Sequence, residues 1–161
     1  MEAEAAATYR ITDVRVEAAP ASAREPRGFN LAEGEVETIV RSSALSVVNG
    51  LNPGGTRAVR VDLTLNSVFV PNVASAALFG GSSTRLGGVA QLRDARTGAD
   101  IGAPFEVSGA SEFRAGGIIG AAATAAVLSR RGENGEIAKA AQGIGRRLAL
   151  AVFGTDPLKQ D

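Results

Sequence analysis

The residues from Leu86 to Leu128, LGGVAQLRDARTGADIGAPFEVSGASEFRAGGIIGAAATAAVL, constrain the fold more than any other stretch of the chain. Apolar Ala90 and Leu92 alternate with Gln91 and Arg93, and Phe105 and Val107 alternate with Glu106 and Ser108. Alternation with period two places one set of side chains on each face of a strand. The polar segment Asp94-Ala95-Arg96-Thr97-Gly98 lies between the two runs. The pattern predicts a hairpin of Arg85–Arg93 with Ile101–Gly109. Asp94 starts the turn through its side chain, and Gly98 supplies a positive φ before the return strand. The contiguous Asp-Thr-Gly of an aspartic protease is not formed, because Ala95 and Arg96 separate Asp94 from Thr97.

A run of small residues follows the hairpin. Gly116-x-x-x-Gly120-x-x-x-Thr124, with Ala121-x-x-x-Ala125 beside it, gives a helix a surface that another element can approach closely. The apolar run from Ala115 to Ser129 is bracketed by Arg114 and Arg130-Arg131. It falls short of the roughly 20 residues a membrane span requires. A buried helix is favoured over an inserted one. Its glycines weaken it in isolation, so packing must hold it.

The rest of the chain supplies the partners. Tyr9–Ala18 reads as a strand whose phase slips at Thr12-Asp13, as a bulge would cause. Leu31–Leu51 carries Val36, Ile39, Val40, Ala44, Val47, Val48 and Leu51 at spacings of three and four, the stripe of an amphipathic helix. Glu33, Glu35 and Glu37 place negative charge in its first turns, where the helix dipole favours it. Gly50 and Asn52-Pro53-Gly54-Gly55 stop it.

In Arg57–Val70, Val59, Val61, Leu63 and Leu65 alternate with Arg60, Asp62, Thr64 and Asn66, a strand with one wet face. The phase changes near Asn66-Ser67. Residues 72–84 hold at most a short helical turn before a Gly80-Gly81 loop. Ala115–Arg130 and Glu136–Phe153 are predicted helices, separated by Gly132–Gly135. In the second, Ile137, Ala141, Ile144, Leu148, Ala151 and Val152 form the apolar stripe.

The expected fold is α+β, with the order β-α-β-β-β-α-α. Its sheet is four-stranded and mainly antiparallel, with helices packed on one face. The expected core includes Val36, Ile39, Val40, Val47, Val61, Leu63, Leu92, Ile144 and Leu148. Residues 1–8 read as a disordered N-terminal segment, 9–154 as one domain and 155–161 as a flexible tail. A length of 161 residues with 45% apolar content is sufficient for one domain's core.

Composition removes several chemistries. The chain has no His, Cys or Trp. Disulfides, thiolate metal sites, cysteine nucleophiles and a Ser-His-Asp triad are therefore excluded. A Ser-Lys variant has little support, since the lysines are Lys139 and Lys159. Carboxylates fall at helix starts, turns and strand exteriors, with no pair singled out for acid–base work. Gly80-Gly81-Ser82-Ser83-Thr84 and Leu86-Gly87-Gly88 lack the lysine and the following helix of a phosphate loop.

Arg57 and Arg60, then Arg85, Arg93 and Arg96, could form a basic strip across adjacent strands, with a solvated sheet face the favoured reading. Arg57, Arg60, Arg85 and Arg93, with Gly116 and Gly120, are the candidate interaction residues. Without interleaved aromatics the strip is no stacking platform for nucleic acid. Lys+Arg and Asp+Glu are both 17, so no global field draws an anionic polymer. No catalytic, cofactor-binding or metal-binding residue is assigned.

The segment Leu78-Phe79-Gly80 followed by Leu86-Gly87-Gly88-Val89-Ala90-Gln91-Leu92-Arg93-Asp94-Ala95-Arg96-Thr97-Gly98 resembles small proteobacterial envelope lipoproteins of unknown function. Those proteins pair a Gly-rich approach with a strand ending in D-x-x-T-G, then a strand, a Gly-rich segment and a C-terminal helix. The resemblance covers roughly Arg57–Gly154. The topology is also similar to auxiliary lipoproteins of envelope transport systems.

The resemblance implies a non-enzymatic structural or accessory binding module in the periplasm, anchored as an outer-membrane lipoprotein. It implies no catalytic residues. The lipobox Cys of such proteins is absent here, and Glu2-Ala3-Glu4 lacks the apolar core of a secretory leader. Anchoring is therefore expected through a lipid on an upstream Cys. An envelope protein or a second copy is the expected partner, and nucleic acid is not. Two alternatives remain: a carrier of a lipid or other apolar ligand in a cleft between sheet and helices, and a hydrolase or transferase using carboxylates.

Overall fold

A computed structural model of the chain describes residues 7–19, 33–70, 83–111 and 117–154. The elements are β1 (Tyr9–Ala18), α1 (Glu33–Val48), β2 (Arg57–Phe69), β3 (Arg85–Asp94), β4 (Asp100–Ala110) and α2 (Gly117–Phe153). The four strands form one sheet in the order β1-β2-β3-β4. The fold is α+β, as expected, with the helices on one face.

The sheet is mixed. β2–β3 and β3–β4 pair antiparallel, whereas β1–β2 pair parallel. The parallel pair follows from α1, which carries the chain back across the sheet between β1 and β2. Both predicted phase slips are present. Pairing shifts between Ile11 and Asp13 in β1 and between Leu65 and Ser67 in β2. A third irregularity, unforeseen, sets Ala90 against Phe105 and Leu92 against Ile101, so that Gly102-Ala103-Pro104 bulges from β4. Gly102 takes φ +67 there. The Gln91 amide nitrogen donates to the carbonyls of Leu92, Ile101 and Gly102 at 2.8, 3.3 and 3.3 Å, which ties the bulge down.

Side chains Val59, Val61, Leu63 and Leu65 of β2 and Leu86, Ala90 and Leu92 of β3 are buried beneath the helices. α1 meets them with Val36, Val40, Ala44 and Val48, a four-residue spacing that keeps one face on the sheet. Of the expected core, Ile39 and Val47 are half-buried at the flanks of this stripe, and the others are buried. α1 ends before Gly50, whose φ of +90 no β-carbon residue adopts easily. Glu37 does more than favour the dipole, since its carboxylate accepts the Ala18 N–H at 2.7 Å and caps the end of β1.

α2 is broken at Gly132, with φ 65 and ψ 177. The four-residue separator expected at Gly132–Gly135 is thus a single residue. Glu133-Asn134-Gly135 already form the first turn of the second segment, 133–153. Ile137, Ala141, Ile144, Leu148 and Val152 are buried, while Ala151, expected in the stripe, is exposed. The buried face instead widens through Ala140, Gly145 and Ala149.

The tail expected at 155–161, residues 72–82 of the loop and short turn expected at 72–84, and residues 1–6 of the disordered segment expected at 1–8 lie outside the described residues. Ala7 and Thr8 form a turn held by the Asn52 side chain, whose Nδ2 donates to the Ala7 carbonyl at 2.7 Å and to that of Tyr9 at 2.8 Å.

Candidate binding surface

With the helices on one face, the other face of the sheet is open. It carries Arg15 and Glu17 of β1, Arg60, Asp62 and Thr64 of β2, Val89, Gln91 and Arg93 of β3, and Asp100 of β4. A shallow cavity of about 420 Å³ lies over its middle, lined in part by Asp62, Val89 and Arg93. Arg60 and Arg93 are direct cross-strand partners. Two like charges so placed would repel, and Asp62 lies between them. Its Oδ1 is 2.7 Å from Arg60 Nε, and its Oδ2 is 2.7 Å from Arg93 Nε. Arg93 also reaches Asp100 at 2.8 Å and donates to the Gly98 carbonyl at 3.2 Å. The hydrogen bond to Asp62 raises the Arg60 pKa above its ordinary value.

The hairpin turn is built as expected. Asp94 Oδ1 accepts the N–H groups of Arg96 at 3.0 Å and Thr97 at 2.9 Å, and Gly98 has φ +75. Asp94 Oδ2 accepts from Arg57 Nε at 3.0 Å. The backbone hydrogen bond from Thr97, then the Arg57 guanidinium, hold the Asp94 carboxyl at about 2. Arg57 also lies over the Tyr9 ring at 5.6 Å.

The four candidate arginines of the expected strip therefore have different situations. Arg57, Arg60 and Arg93 each serve an aspartate. Arg85 stands at the far end of β3, with its guanidinium 5.3 Å from the Phe69 ring centroid. There it lines a separate cleft of about 470 Å³ with Ser108, Gly109 and Ala110 of β4 and Gly143, Arg146, Arg147 and Leu150 of α2. By sequence alone Arg146 and Arg147 read only as residues flanking the apolar stripe of the last helix. The spacing Gly143-x-x-Arg146-Arg147-x-x-Leu150 was the available signal, since it places these residues on one face of a helix.

Of the small-residue pair, Gly116 lies outside the described residues and Gly120 lies in the first segment of α2. Among the described residues, close approaches are made by the second segment of α2. A Cβ on Gly143 would come within 2.9 Å of Gly109 Cα, and one on Gly145 within 2.7 Å of Val47 Cβ.

A buried polar cluster joins the same end of the sheet to α2. Glu136 and Thr84 are wholly buried, and Ser111 nearly so. The Ser111 hydroxyl donates to Glu136 Oε2 at 3.0 Å and accepts the Thr84 N–H at 3.0 Å. The Ser111 N–H returns to the Thr84 carbonyl at 2.9 Å. Among the described residues no helix is long and apolar enough to cross a membrane.

No protein-family model matches the chain, and no curated protein matches it. Among solved structures it is similar to a candidate lipoprotein from Caulobacter crescentus CB15. The identity is 16%, the match covers 94% of this chain and 92% of that one, and the TM-score is 0.43. It is also similar to the PelC dodecamer from Paraburkholderia phytofirmans, at 12% identity over 88% of this chain and 84% of that one, with a TM-score of 0.36. At these TM-scores neither likeness carries an argument.

Proposed function

We propose that this chain is a non-enzymatic binding module of the bacterial envelope, presenting its open sheet face to a protein partner. The observation that carries the reading is the way Asp62 and Asp94 are held. Asp62 is shared between Arg60 and Arg93. Asp94 is fixed by two backbone amides and Arg57, and its pKa of about 2 leaves it ionised at neutral pH. A general acid or base works best with a pKa near the operating pH. Asp94 lies far from that value, and both aspartates stiffen a polar surface through their fixed partners, which lowers the ordering cost of binding. This weighs against a carboxylate hydrolase or transferase. The carrier alternative needs an interior space between sheet and helices, and the backbone contact of Gly109 with Gly143 closes the interior there, leaving a surface cleft beside β4.

The envelope half of the reading is supported by the resemblance of residues 57–154 to envelope lipoproteins. Its test is photocrosslinking in the native host, with the reactive side chain at Thr64 or Val89 on the open face and at Ser46 on α1 as the control. A defined adduct in the envelope fraction from the first two positions and not the third is the expected result. Adducts spread evenly over the three positions, or full-length protein confined to the cytosol, would overturn it.

A further inference from the structure

We propose that the cleft beside β4, walled by Arg85, Arg146 and Arg147, binds a phosphate group carried on a partly apolar molecule. The proposal goes beyond the open-face reading, since the cleft is separate from that face. On the open face, Arg60 and Arg93 have aspartate partners, as do Arg57 at the turn and Arg41 on α1. Among the described residues no carboxylate pairs with Arg85, Arg146 or Arg147. Arg85, Arg146 and Arg147 line one cleft with Ser108, and among the described residues no acid does. An anion bound there would balance this positive charge. Guanidinium forks match the oxygens of phosphate in geometry as well as charge.

The space is made by absence. Gly109 and Gly143 bring no side chains to the cleft, so backbone forms its floor. Its volume of about 470 Å³ is within the range of small-molecule sites. One wall is apolar. Leu150 is 44% exposed, a large hydrophobic side chain at the surface, and it stands one helical turn beyond Arg146 and Arg147. A bare ion would leave that wall unused, whereas an alkyl phosphate would fill it.

The test is calorimetric titration of the full chain with inorganic phosphate and with hexyl phosphate. A parallel arm measures sedimentation with phosphatidylglycerol vesicles against phosphatidylcholine vesicles. Hexyl phosphate is expected to bind at least tenfold more tightly than phosphate. Arg146→Gln with Arg147→Gln should weaken it tenfold or more, and Leu150→Ala should bring it close to inorganic phosphate. Arg96→Gln, at the distant hairpin turn, removes the same kind of charge and should change nothing. Arg147→Gln alone, at an exposed position, gives the same direction should the double variant fold poorly.

Vesicle binding that needs phosphatidylglycerol and the arginines would identify the source as a lipid headgroup. Hexyl phosphate binding without vesicle binding would identify a free phosphate ester. Either supports the cleft. No binding in either arm, or equal binding by wild type and the arginine variants, overturns it. Partner crosslinking at Thr64 alongside that result would leave the broader binding reading standing.

Discussion

Gly143 of α2 lies against Gly109 of β4 with no side chain between them: a Cβ on Gly143 would stand 2.9 Å from Gly109 Cα, and a Cβ on Gly109 would run into the Ala140 carbonyl oxygen. Backbone meets backbone here, so neither partner can swing aside as a flexible side chain would. Gly109→Val is expected to cost about 1–3 kcal/mol by overpacking, read from urea unfolding. Gly34→Ala is the control, because nothing lies within 4 Å of a Cβ there. As a helix position it should be neutral or gain up to about 1 kcal/mol. Equal losses at the two sites would remove the close-packing account.

Gly98 presents the opposite case. A Cβ there meets nothing within 4 Å, but φ is +75. Any loss is therefore conformational. Gly98→Ala should destabilise by about 1–2 kcal/mol, and Gly98→Asn by less, since Asn tolerates the left-handed region better. A thermal melt of Gly98→Ala that matches wild type would mean the turn has another conformation.

Asp94 makes stability depend on pH in a defined window. Its carboxyl is at about 2 in the folded chain against an ordinary 3.8. A lowered folded pKa stabilises the fold above the unfolded value, and the contribution is lost as pH falls through the folded one. The difference in stability between wild type and Asp94→Asn should be constant near neutral pH, shrink below about 4 and level off near 2. Carbon-detected NMR titration of the carboxyl measures the same shift directly. A difference that stays unchanged to pH 2 would show that ionisation of Asp94 is not the cause.

Ser111→Ala tests the buried cluster. It removes the donor to Glu136 Oε2 and the acceptor of the Thr84 N–H, both in the interior. Leaving such groups without that partner costs about 1–3 kcal/mol. Ser108→Ala, on the opposite face of β4, should have a small effect on chemical denaturation. A Ser111→Ala chain as stable as wild type would mean the hydroxyl's two hydrogen bonds contribute nothing net.

Local pattern determined much of this protein without the structure. The alternation in Arg57–Leu65 fixed which face of β2 is buried, because a strand turns its side chains over at every residue. The slips at Thr12-Asp13 and Asn66-Ser67 marked bulges for the same reason. Asp94 and Gly98 named the turn, since its hydrogen bonds close within five residues. The parallel pairing of β1 with β2, the Gly102-Ala103-Pro104 bulge and the Glu37 cap on β1 were not legible, as each depends on a neighbour distant in sequence.

Tertiary structure alone also decided what the arginines do. Arg60 and Arg93 look like a basic strip until the register sets them opposite one another with Asp62 between. Arg146 and Arg147 look like the solvated flank of a helix until the contact of Gly109 with Gly143 brings them beside Arg85. Charge is written in the sequence, but its partners are chosen by long-range packing, and the partner determines whether an arginine stiffens a sheet or waits for a ligand.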